Sequence, residues 1–213
     1  MTRAAIAGLI LAGGRGRRFG GTDKAFIDLC GTPLIGHVIA RIAPQVDRIV
    51  INANGDPSRF AAFDCPVIAD EATQAGSGVF AGLKAASKWM TGVTAADALL
   101  LTAPTDTPFL PRNLVGRLAA ALAAGPATIA YAMSGGIAHP TVALWTRAAL
   151  TALVRRIDAG DALRLQRLLP MLGGAPVGFP IDGVDPFLNV NTPDDRAAAA
   201  TLLGASTASP RSE

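Results

Sequence analysis

The chain places a glycine-rich, strongly basic segment directly after its first apolar run. Residues 4–11 are almost continuously apolar, and the run stops at Gly13 and Gly14. Three arginines, further glycines and the pair Asp23 and Lys24 follow within residues 15–24. Glycine lacks a Cβ atom, so its backbone N–H groups can approach phosphate oxygens closely, and nearby cations offset the negative charge. A buried strand that leads into such a loop predicts a polyphosphate-binding site.

Spacing separates the families that place glycines after a first strand. A P-loop requires a lysine followed by Ser or Thr, whereas Lys24 precedes Ala25. The dinucleotide fingerprint requires a third glycine where Phe19 stands, and no helical pattern opens there. The remaining pattern, L-A-G-G-x-x-x-R-x-G-x-x-D-K, resembles nucleotidyltransferases that activate a phosphorylated acceptor with a nucleoside triphosphate. A solvated basic turn is the alternative interpretation of this loop.

Apolar runs rich in Val, Ile and Leu alternate with helical patterns along the chain. The patterns predict strands at residues 4–11, 48–53, 66–69, 98–102, 128–133, 137–145 and 176–179, and helices at 34–43, 79–90, 111–124, 147–157, 161–169 and 193–203. Continuously apolar strands separated by helices indicate a parallel sheet covered on both faces. The predicted fold class is therefore α/β, a three-layer Rossmann-like fold with a mostly parallel central sheet. We expect one domain over residues 1–203 and a disordered tail over 204–213.

Composition restricts the classes of partner. The net charge of +3 is modest and its densest patch is the arginine loop, which favours a small phosphorylated ligand over nucleic acid. Aromatic residues make up only 5%, which argues against stacking on single-stranded nucleic acid. Cys30 and Cys65 form no C-x-x-C motif and are predicted to be free thiols in a reducing cytoplasm. No apolar stretch reaches the roughly 18 residues that a membrane span requires.

In a parallel sheet, ligands bind beyond the carboxyl ends of the strands, so acids that follow strands are candidate site residues. Asp106 follows the apolar run 98–102 and lies between Pro104 and Pro108. It suits a divalent cation, because Mg²⁺ takes a few carboxylates and completes its shell with phosphate oxygens and water. The same segment is also good turn chemistry, and the presence of the first loop favours metal binding.

Polar residues follow the predicted strands at 48–53 and 66–69 as well. Asn52 and Asn54 lie at the end of the first of these, and Asp70 follows the second, ahead of the glycine-rich residues 75–82. Asp70 could accept hydrogen bonds from a base or assist a metal. A solvated loop carboxylate is the alternative on this segment alone.

The carboxyl-terminal half offers amides rather than acids. If residues 187–191 are extended, Asn189 and Asn191 share one face and could grip an acceptor molecule. Helix capping is the competing interpretation for Asn191, because Thr192 and a first-turn proline follow it. His139 precedes a proline and has no nucleophile beside it in sequence, which favours a structural role, and His37 lies in a helical pattern on the surface or in packing.

Motifs distributed over nearly the whole chain resemble the molybdenum cofactor guanylyltransferase family. In chain order they are LAGG with RFGGTDK, GTPLIGHV, VINAN, VIAD, PTDTPFLP, HPTVAL and FLNVNTPDD. The resemblance implies that GTP and Mo-molybdopterin react to give the guanine dinucleotide cofactor and pyrophosphate, with Mg²⁺. The sequence departs from the family at Phe19, where Met is usual, and at Val79, where Pro is usual.

The resemblance also implies a role for individual residues. Lys24 would contact the phosphates and Asp106 would bind Mg²⁺. Arg15 and Arg18 are expected on charge grounds to supply further positive charge to the phosphates, so the candidate catalytic residues are Lys24, Asp106 and Arg18. The GTP-binding residues would be Leu11, Ala12, Gly13, Gly14, Lys24, Asn52, Asp70 and Asp106, with Asn189 and Asn191 on the molybdopterin side. The family further implies a cytoplasmic monomer in transient contact with molybdenum cofactor insertion or chaperone proteins.

The sequence is also compatible with other functions. A nucleotidyltransferase of the same fold could use CTP on the same pterin or a nucleoside triphosphate on a sugar phosphate. A non-catalytic nucleotide-binding module would have less need of Asp106 beside Lys24. A dinucleotide-dependent oxidoreductase is disfavoured by the glycine spacing. The sequence leaves open whether Arg15, Arg17 and Arg112 contact ligand or only water.

Overall fold

The computed structural model describes residues 4–13, 23–71, 78–161 and 164–208 of the 213-residue chain. The strands in these residues are β1 (Ile6–Leu11), β2 (Asp28–Leu29), β3 (Thr32–Pro33), β4 (Arg48–Asn52), β5 (Val67–Ile68), β6 (Leu99–Pro104), β7 (Ile129–Ser134), β8 (Ile137–Trp145) and β9 (Gly174–Gly178). The helices are α1 (Leu34–Ile42), α2 (Val79–Val93), α3 (Leu114–Ala123), α4 (Arg147–Asp158), α5 (Leu165–Met171) and α6 (Pro193–Ala208). The predicted α/β class is confirmed.

The central sheet has seven strands in the order β5-β4-β1-β6-β8-β7-β9. Strand β1 pairs in parallel with β4 on one side and with β6 on the other. Strand β8 is antiparallel to both of its neighbours, so the sheet is mostly but not wholly parallel. The carboxyl ends of β1, β4, β5 and β6 therefore lie at one edge, and the chain turns to opposite sides of β1 there. This switch point is where open α/β sheets bind ligands.

Helices cover both faces of the sheet. Side chains of α1 and α3 share one buried cluster with Ile6 and Ile10 of β1. Side chains of α2, α4 and α5 share a second cluster with Ala7 and Leu9 of the same strand. Successive residues of a strand point to opposite faces, so a continuously apolar β1 is what a three-layer arrangement requires.

Several element boundaries differ from the prediction. Helix α3 begins at Leu114 rather than residue 111, because residues 111–114 form a turn in which the Leu114 N–H donates to the Pro111 carbonyl. Helix α5 begins at Leu165, later than the predicted residue 161. Strand β9 begins at Gly174, earlier than the predicted residue 176. Helix α6 continues to Ala208, so the expectation of a disordered tail from residue 204 is wrong for 204–208. Residues 209–213 lie outside the described residues.

The short hairpin formed by β2 and β3 was not among the predicted elements. Its two central residues, Cys30 and Gly31, both have positive φ angles of 54° and 81°. Two-residue hairpin turns with positive φ angles favour Gly, so the Cys-Gly pair between Leu29 and Thr32 was the sequence signal that could have predicted this turn. Leu29 packs with Leu34, Val190 and Ala199 in a third buried cluster, which joins the hairpin to α6.

Within the described residues, the helices are too short or too polar to span a bilayer.

Candidate active site

The Lys24 ammonium joins two distant parts of the chain at the carboxyl edge of the sheet. Its Nζ donates to Asp106 Oδ2 at 2.5 Å and to Asn191 Oδ1 at 2.5 Å, across 82 and 167 positions of sequence. The side chains of Lys24 and Asp106 are 14% and 19% exposed. A short 3-10 turn, residues Lys24–Phe26, carries the lysine, and Asp106 lies in the turn directly after β6. Three residues that the sequence nominated separately therefore form one cluster.

The Asp106 carboxylate has one oxygen that none of the described residues contacts by a hydrogen bond. Oδ1 is buried and receives no hydrogen bond from the described residues, whereas Oδ2 accepts from Lys24. A buried carboxylate oxygen that is left unpaired costs free energy, so native proteins retain one where it serves a ligand or ion. Among the described residues no group of three or more His, Cys, Asp or Glu side chains could hold a metal ion by itself. The donor set is thus one carboxylate oxygen, which suits an ion whose remaining ligands are phosphate and water.

Backbone contacts fix Asn191 beside this carboxylate. The Val190 N–H donates to the Asp106 carbonyl at 2.8 Å, and the buried Val190 side chain anchors the segment. The start of α6 is a reciprocal cap: Thr192 Oγ1 accepts from the Asp195 N–H, and Asp195 Oδ2 accepts from the N–H groups of Asn191 and Thr192. The hydrogen bond from the Asn191 N–H is the main reason that the pKa of Asp195 is lowered. The side chain that caps α6 is therefore Thr192, and the Asn191 amide is left for Lys24.

A second polar cluster lies at the ends of β4 and β5. Asn52 Nδ2 donates to Asp70 Oδ1 at 3.0 Å, and Asn54 Nδ2 donates to Asp70 Oδ2 at 2.7 Å. The Asp70 N–H in turn donates to Asn54 Oδ1 at 2.9 Å. Asn52 is only 4% exposed, and its carbonyl accepts from the Ala12 N–H at the end of β1. Two amides thus orient one carboxylate next to the strand that leads into the glycine-rich loop.

Helix α2 approaches the Asn52 side chain at Gly82. A Cβ atom at Gly82 would lie 2.4 Å from Asn52 Oδ1 and 2.9 Å from Leu11 Cδ2. Neither distance is tolerable for a real Cβ contact, so only glycine lets the helix pack this closely. Gly82 is the last of the glycine-rich residues 75–82, and its close approach to Asn52 gives a physical reason for a glycine there.

Arg59, which was not among the predicted site residues, connects the two polar clusters. Its Nη1 donates to Asp23 Oδ2 at 2.6 Å and its Nη2 donates to the Asn54 carbonyl at 2.6 Å. Asp23 immediately precedes Lys24, and its other oxygen accepts from the Ala25 N–H at 3.1 Å. A lone arginine in the polar stretch after a strand carries no sequence signal of such a contact.

A third polar group lies where β7 and β8 meet. Ser134 Oγ donates to Asp185 Oδ1 at 2.8 Å and lies 2.7 Å from His139 Nε2. The serine hydroxyl has one proton, which it uses in the hydrogen bond to Asp185. Ser134 Oγ is therefore the acceptor of the second hydrogen bond, and His139 Nε2 is its donor. Burial lowers the pKa of His139, and the nearby Asp185 charge partly opposes this shift. The ring also stacks on Phe187 with centroids 4.7 Å apart, so His139 has the structural contacts that the sequence favoured. Ser134 and Asp185 were not foreseen.

The remaining nominated residues are placed as follows. Leu11 is half-buried and Ala12 buried at the end of β1, with Gly13 exposed beyond them. Asn189 is exposed, whereas Asn191 is half-buried on Lys24. His37 Nε2 lies 2.8 Å from the Leu29 carbonyl, which is a packing role. Gly14, Arg15, Arg17, Arg18 and Phe19 lie outside the described residues, so their predicted roles stay predictions.

Comparison with known proteins identifies the family. The model of the MobA-like NTP transferase domain matches residues 8–172. The molybdenum cofactor guanylyltransferase of Rhodobacter capsulatus is 49% identical over 199 residues, which cover 93% of this chain and 96% of that protein. The protein of the same name from Cereibacter sphaeroides is 47% identical, covering 93% of this chain and 97% of the relative.

The chain belongs to the molybdenum cofactor guanylyltransferase family. It is therefore a nucleotidyltransferase, and the non-catalytic binding module and the oxidoreductase are excluded as its class. The crystal structure of molybdopterin-guanine dinucleotide biosynthesis protein A from Archaeoglobus fulgidus has the same fold, with a TM-score of 0.67 at 24% identity over 94% of this chain and 99% of that one.

Proposed function

We propose that this chain transfers GMP from GTP to the terminal phosphate of Mo-molybdopterin, forming the guanine dinucleotide cofactor and releasing pyrophosphate. The observation that carries the proposal is the Lys24–Asp106–Asn191 cluster at the switch point of the sheet, in which the described residues leave one Asp106 oxygen unpaired. The family relationship supports the same assignment, because its curated members bear the guanylyltransferase name.

The two polar clusters divide the substrates between the halves of the chain. Asn52 and Asp70, with the backbone of residues 11–14, would hold the guanine nucleotide. Asp70 is an acceptor-only group when ionised, which matches the adjacent N–H donors on the edge of guanine better than the single amino group of cytosine. Asn189 and Asn191 would hold molybdopterin, in a C-terminal half that forms one domain with the nucleotide half.

Mg²⁺ fits the residues that are present. Asp106 would hold it through Oδ1, the buried oxygen that the described residues leave unpaired. When bound, the ion supplies positive charge next to the phosphates of the nucleotide. The described residues offer this one carboxylate oxygen, so phosphate oxygens and water would complete the shell of the ion.

The described residues leave Lys24 one donor for the nucleotide. An ammonium group has three N–H donors, of which Asp106 and Asn191 accept two. The third can stabilise the charge that develops as a terminal phosphate oxygen of molybdopterin attacks the α-phosphorus of GTP. A P–O bond forms there, the bond to the bridging oxygen breaks, and pyrophosphate leaves. The attacking phosphate has a second pKa near 6, so it is mostly dianionic at neutral pH and needs no general base. Arg18 and Arg15 would add further positive charge.

The direct test is one incubation of the purified protein with Mg²⁺, Mo-molybdopterin and equal amounts of GTP and CTP, with products identified by mass spectrometry. A guanine dinucleotide product is expected. A cytosine dinucleotide would overturn the base assignment and keep the reaction. The absence of either product, from folded protein with active pterin, would overturn the proposed acceptor.

Two variants test the roles assigned within the cluster. Asp106→Ala should abolish turnover while the free energy of unfolding changes little, because the carboxylate contributes charge to the site rather than packing. Lys24→Ala should lower kcat by about 10²–10³, which is the usual loss for one donor aimed at developing charge. Lys88 is a matched control, since its side chain is 80% exposed on α2. A Lys24→Ala enzyme that turns over as fast as Lys88→Ala would contradict the assignment.

The proposed environment of the enzyme follows from the same family. We expect a cytoplasmic monomer that delivers its product through transient contact with molybdenum cofactor insertion or chaperone proteins.

A further inference from the structure

We propose that Arg59 is a positioning residue that fixes Lys24 relative to the nucleoside-binding pair Asn52 and Asp70. The proposal rests on the proposed function, which places the phosphates at Lys24 and the nucleoside at Asp70. Arg59 itself is not placed against any substrate. We assign it a positioning role because its guanidinium joins Asp23 to the backbone of Asn54.

One arm of Arg59 acts on the turn that carries Lys24. Asp23 uses Oδ1 to accept from the Ala25 N–H, which starts the 3-10 turn at Lys24, and uses Oδ2 to accept from Arg59. The carboxylate is thus oriented from two directions. If Arg59 is removed, Asp23 can rotate, and the turn loses the contact that sets its direction. Lys24 follows Asp23 directly, so its ammonium moves with this turn.

The other arm acts on the nucleoside side. Arg59 Nη2 donates to the backbone carbonyl of Asn54 at 2.6 Å, and the Asn54 side chain exchanges hydrogen bonds with Asp70. A planar guanidinium can reach a carboxylate and a carbonyl at the same time with fixed geometry, which a lysine ammonium does less well. The two hydrogen bonds of the Arg59 guanidinium therefore set the distance between the Lys24 turn and the Asp70 carboxylate.

An apolar contact runs parallel to this polar one. Phe26, in the Lys24 turn, packs against Phe60 with ring centroids 5.0 Å apart and against Phe63 at 6.4 Å. Phe60 is fully buried, and Arg59 lies over its ring at 4.8 Å. The 3-10 helix Pro57–Phe63 thus holds the Lys24 turn through both its rings and its arginine. The contacts among the aromatic rings stabilise the packing of the turn, and the Arg59 guanidinium sets the orientation of the turn.

Loss of Arg59 should therefore affect the reaction rate more than the free energy of unfolding. The Arg59 and Asp23 side chains are 34% and 21% exposed, and ion pairs of this kind contribute little to the free energy of unfolding. Misplacing a catalytic group by about 1 Å can nevertheless cost up to roughly 10² in rate. We therefore expect an Arg59 variant that folds normally and reacts slowly.

The chain offers a closely matched control in Arg117. Its Nη2 donates to the Gly178 carbonyl at 2.7 Å, and its guanidinium lies over the Phe179 ring at 4.7 Å. These are the carbonyl and ring contacts of Arg59 without an Asp23 carboxylate. Arg59→Met and Arg117→Met should therefore lower the thermal midpoint similarly. Only Arg59→Met should lower kcat/KM for GTP, by about tenfold or more. Arg59→Lys should recover part of this loss, because it keeps the charge but not the planar guanidinium.

A double-mutant cycle with Lys24→Met decides whether Arg59 acts through Lys24. The Arg59→Met substitution should have its full effect on kcat/KM in the wild-type background and almost none in the Lys24→Met background. Equal effects in both backgrounds would overturn the proposal, as would equal activity of Arg59→Met and Arg117→Met or full activity of Arg59→Lys.

A binding measurement separates this inference from the proposed function. Equilibrium binding of GTP with Mg²⁺, without any acceptor, should be weaker for Arg59→Met than for Arg117→Met. Wild-type protein that binds GTP but makes no dinucleotide from Mo-molybdopterin would refute the proposed acceptor and leave the contrast between the variants standing. Wild-type protein that binds no GTP would overturn both proposals.

Discussion

Replacing Gly82 by Ala should disturb the polar cluster of Asn52, Asn54 and Asp70 through a contact of one added atom. The added Cβ would lie 2.4 Å from Asn52 Oδ1. Reaching an ordinary contact of 3.4 Å would require α2 or Asn52 to move by about 1 Å. Asn52 cannot yield freely, because it is 4% exposed and its amide donates to both Asp70 and the Ile68 carbonyl.

The size of the effect follows from two opposing contributions. Overfilling a packed interior costs about 1–3 kcal/mol, while Ala in place of Gly inside a helix gains about 1 kcal/mol. The overfilling is larger, so we expect Gly82→Ala to lower the free energy of unfolding by about 1 kcal/mol. If the strain is relieved by displacing Asn52, a hydrogen bond to Asp70 weakens, at a cost of about 0.5–1.5 kcal/mol. GTP affinity should then fall by up to about tenfold.

Chemical denaturation and equilibrium GTP binding measure these two effects, and Gly92→Ala is the control in the same helix. A Cβ at Gly92 would meet no atom within 4 Å, so this substitution should stabilise the protein by up to about 1 kcal/mol and leave GTP affinity unchanged. Gly82→Ala that stabilises the protein as Gly92→Ala does, with wild-type affinity for GTP, would refute the reasoning.

Two further predictions concern the C-terminal half. Thr192→Ala removes the side chain that accepts from the Asp195 N–H, and should lower the free energy of unfolding by about 1 kcal/mol in chemical denaturation; no change would show that the cap is dispensable. Burial lowers the pKa of His139 below its unfolded value of about 6.5, so the unfolded state takes up more protons as the pH falls. Stability should be full above about pH 6.5 and decline below it, and His139→Gln should make that decline shallower; an unchanged slope would contradict the assignment.

Much of the fold could be predicted from the sequence because local patterns determine local structure. The strand at residues 137–145 and the starts of α1, α2 and α4 were correct to the residue, since apolar periodicity and helix starts are encoded in neighbouring positions. The β2–β3 hairpin was missed because strands of two residues are too short to show a period.

The candidate site was predictable as a set of residue types and not as a set of contacts. Asp70 and Asp106 could be nominated because each acid follows an apolar strand, and parallel strands bring their carboxyl ends to one edge. Asn191 was harder, because capping and binding use the same side chain types. Only the structure shows that Thr192 takes the cap.

The sequence by itself determined the main strands of the central sheet, the glycine-rich segment and the acids that end strands, since these depend on residues next to one another. Tertiary structure decided which of them meet. Lys24 reaches Asn191 across 167 positions, and Arg59 reaches Asp23 across 36. Nothing in the spacing of these residues specifies such pairs, because the strand order and the packing of helices on the sheet set the distance between loops. The topology therefore decides which residues come into contact at the site.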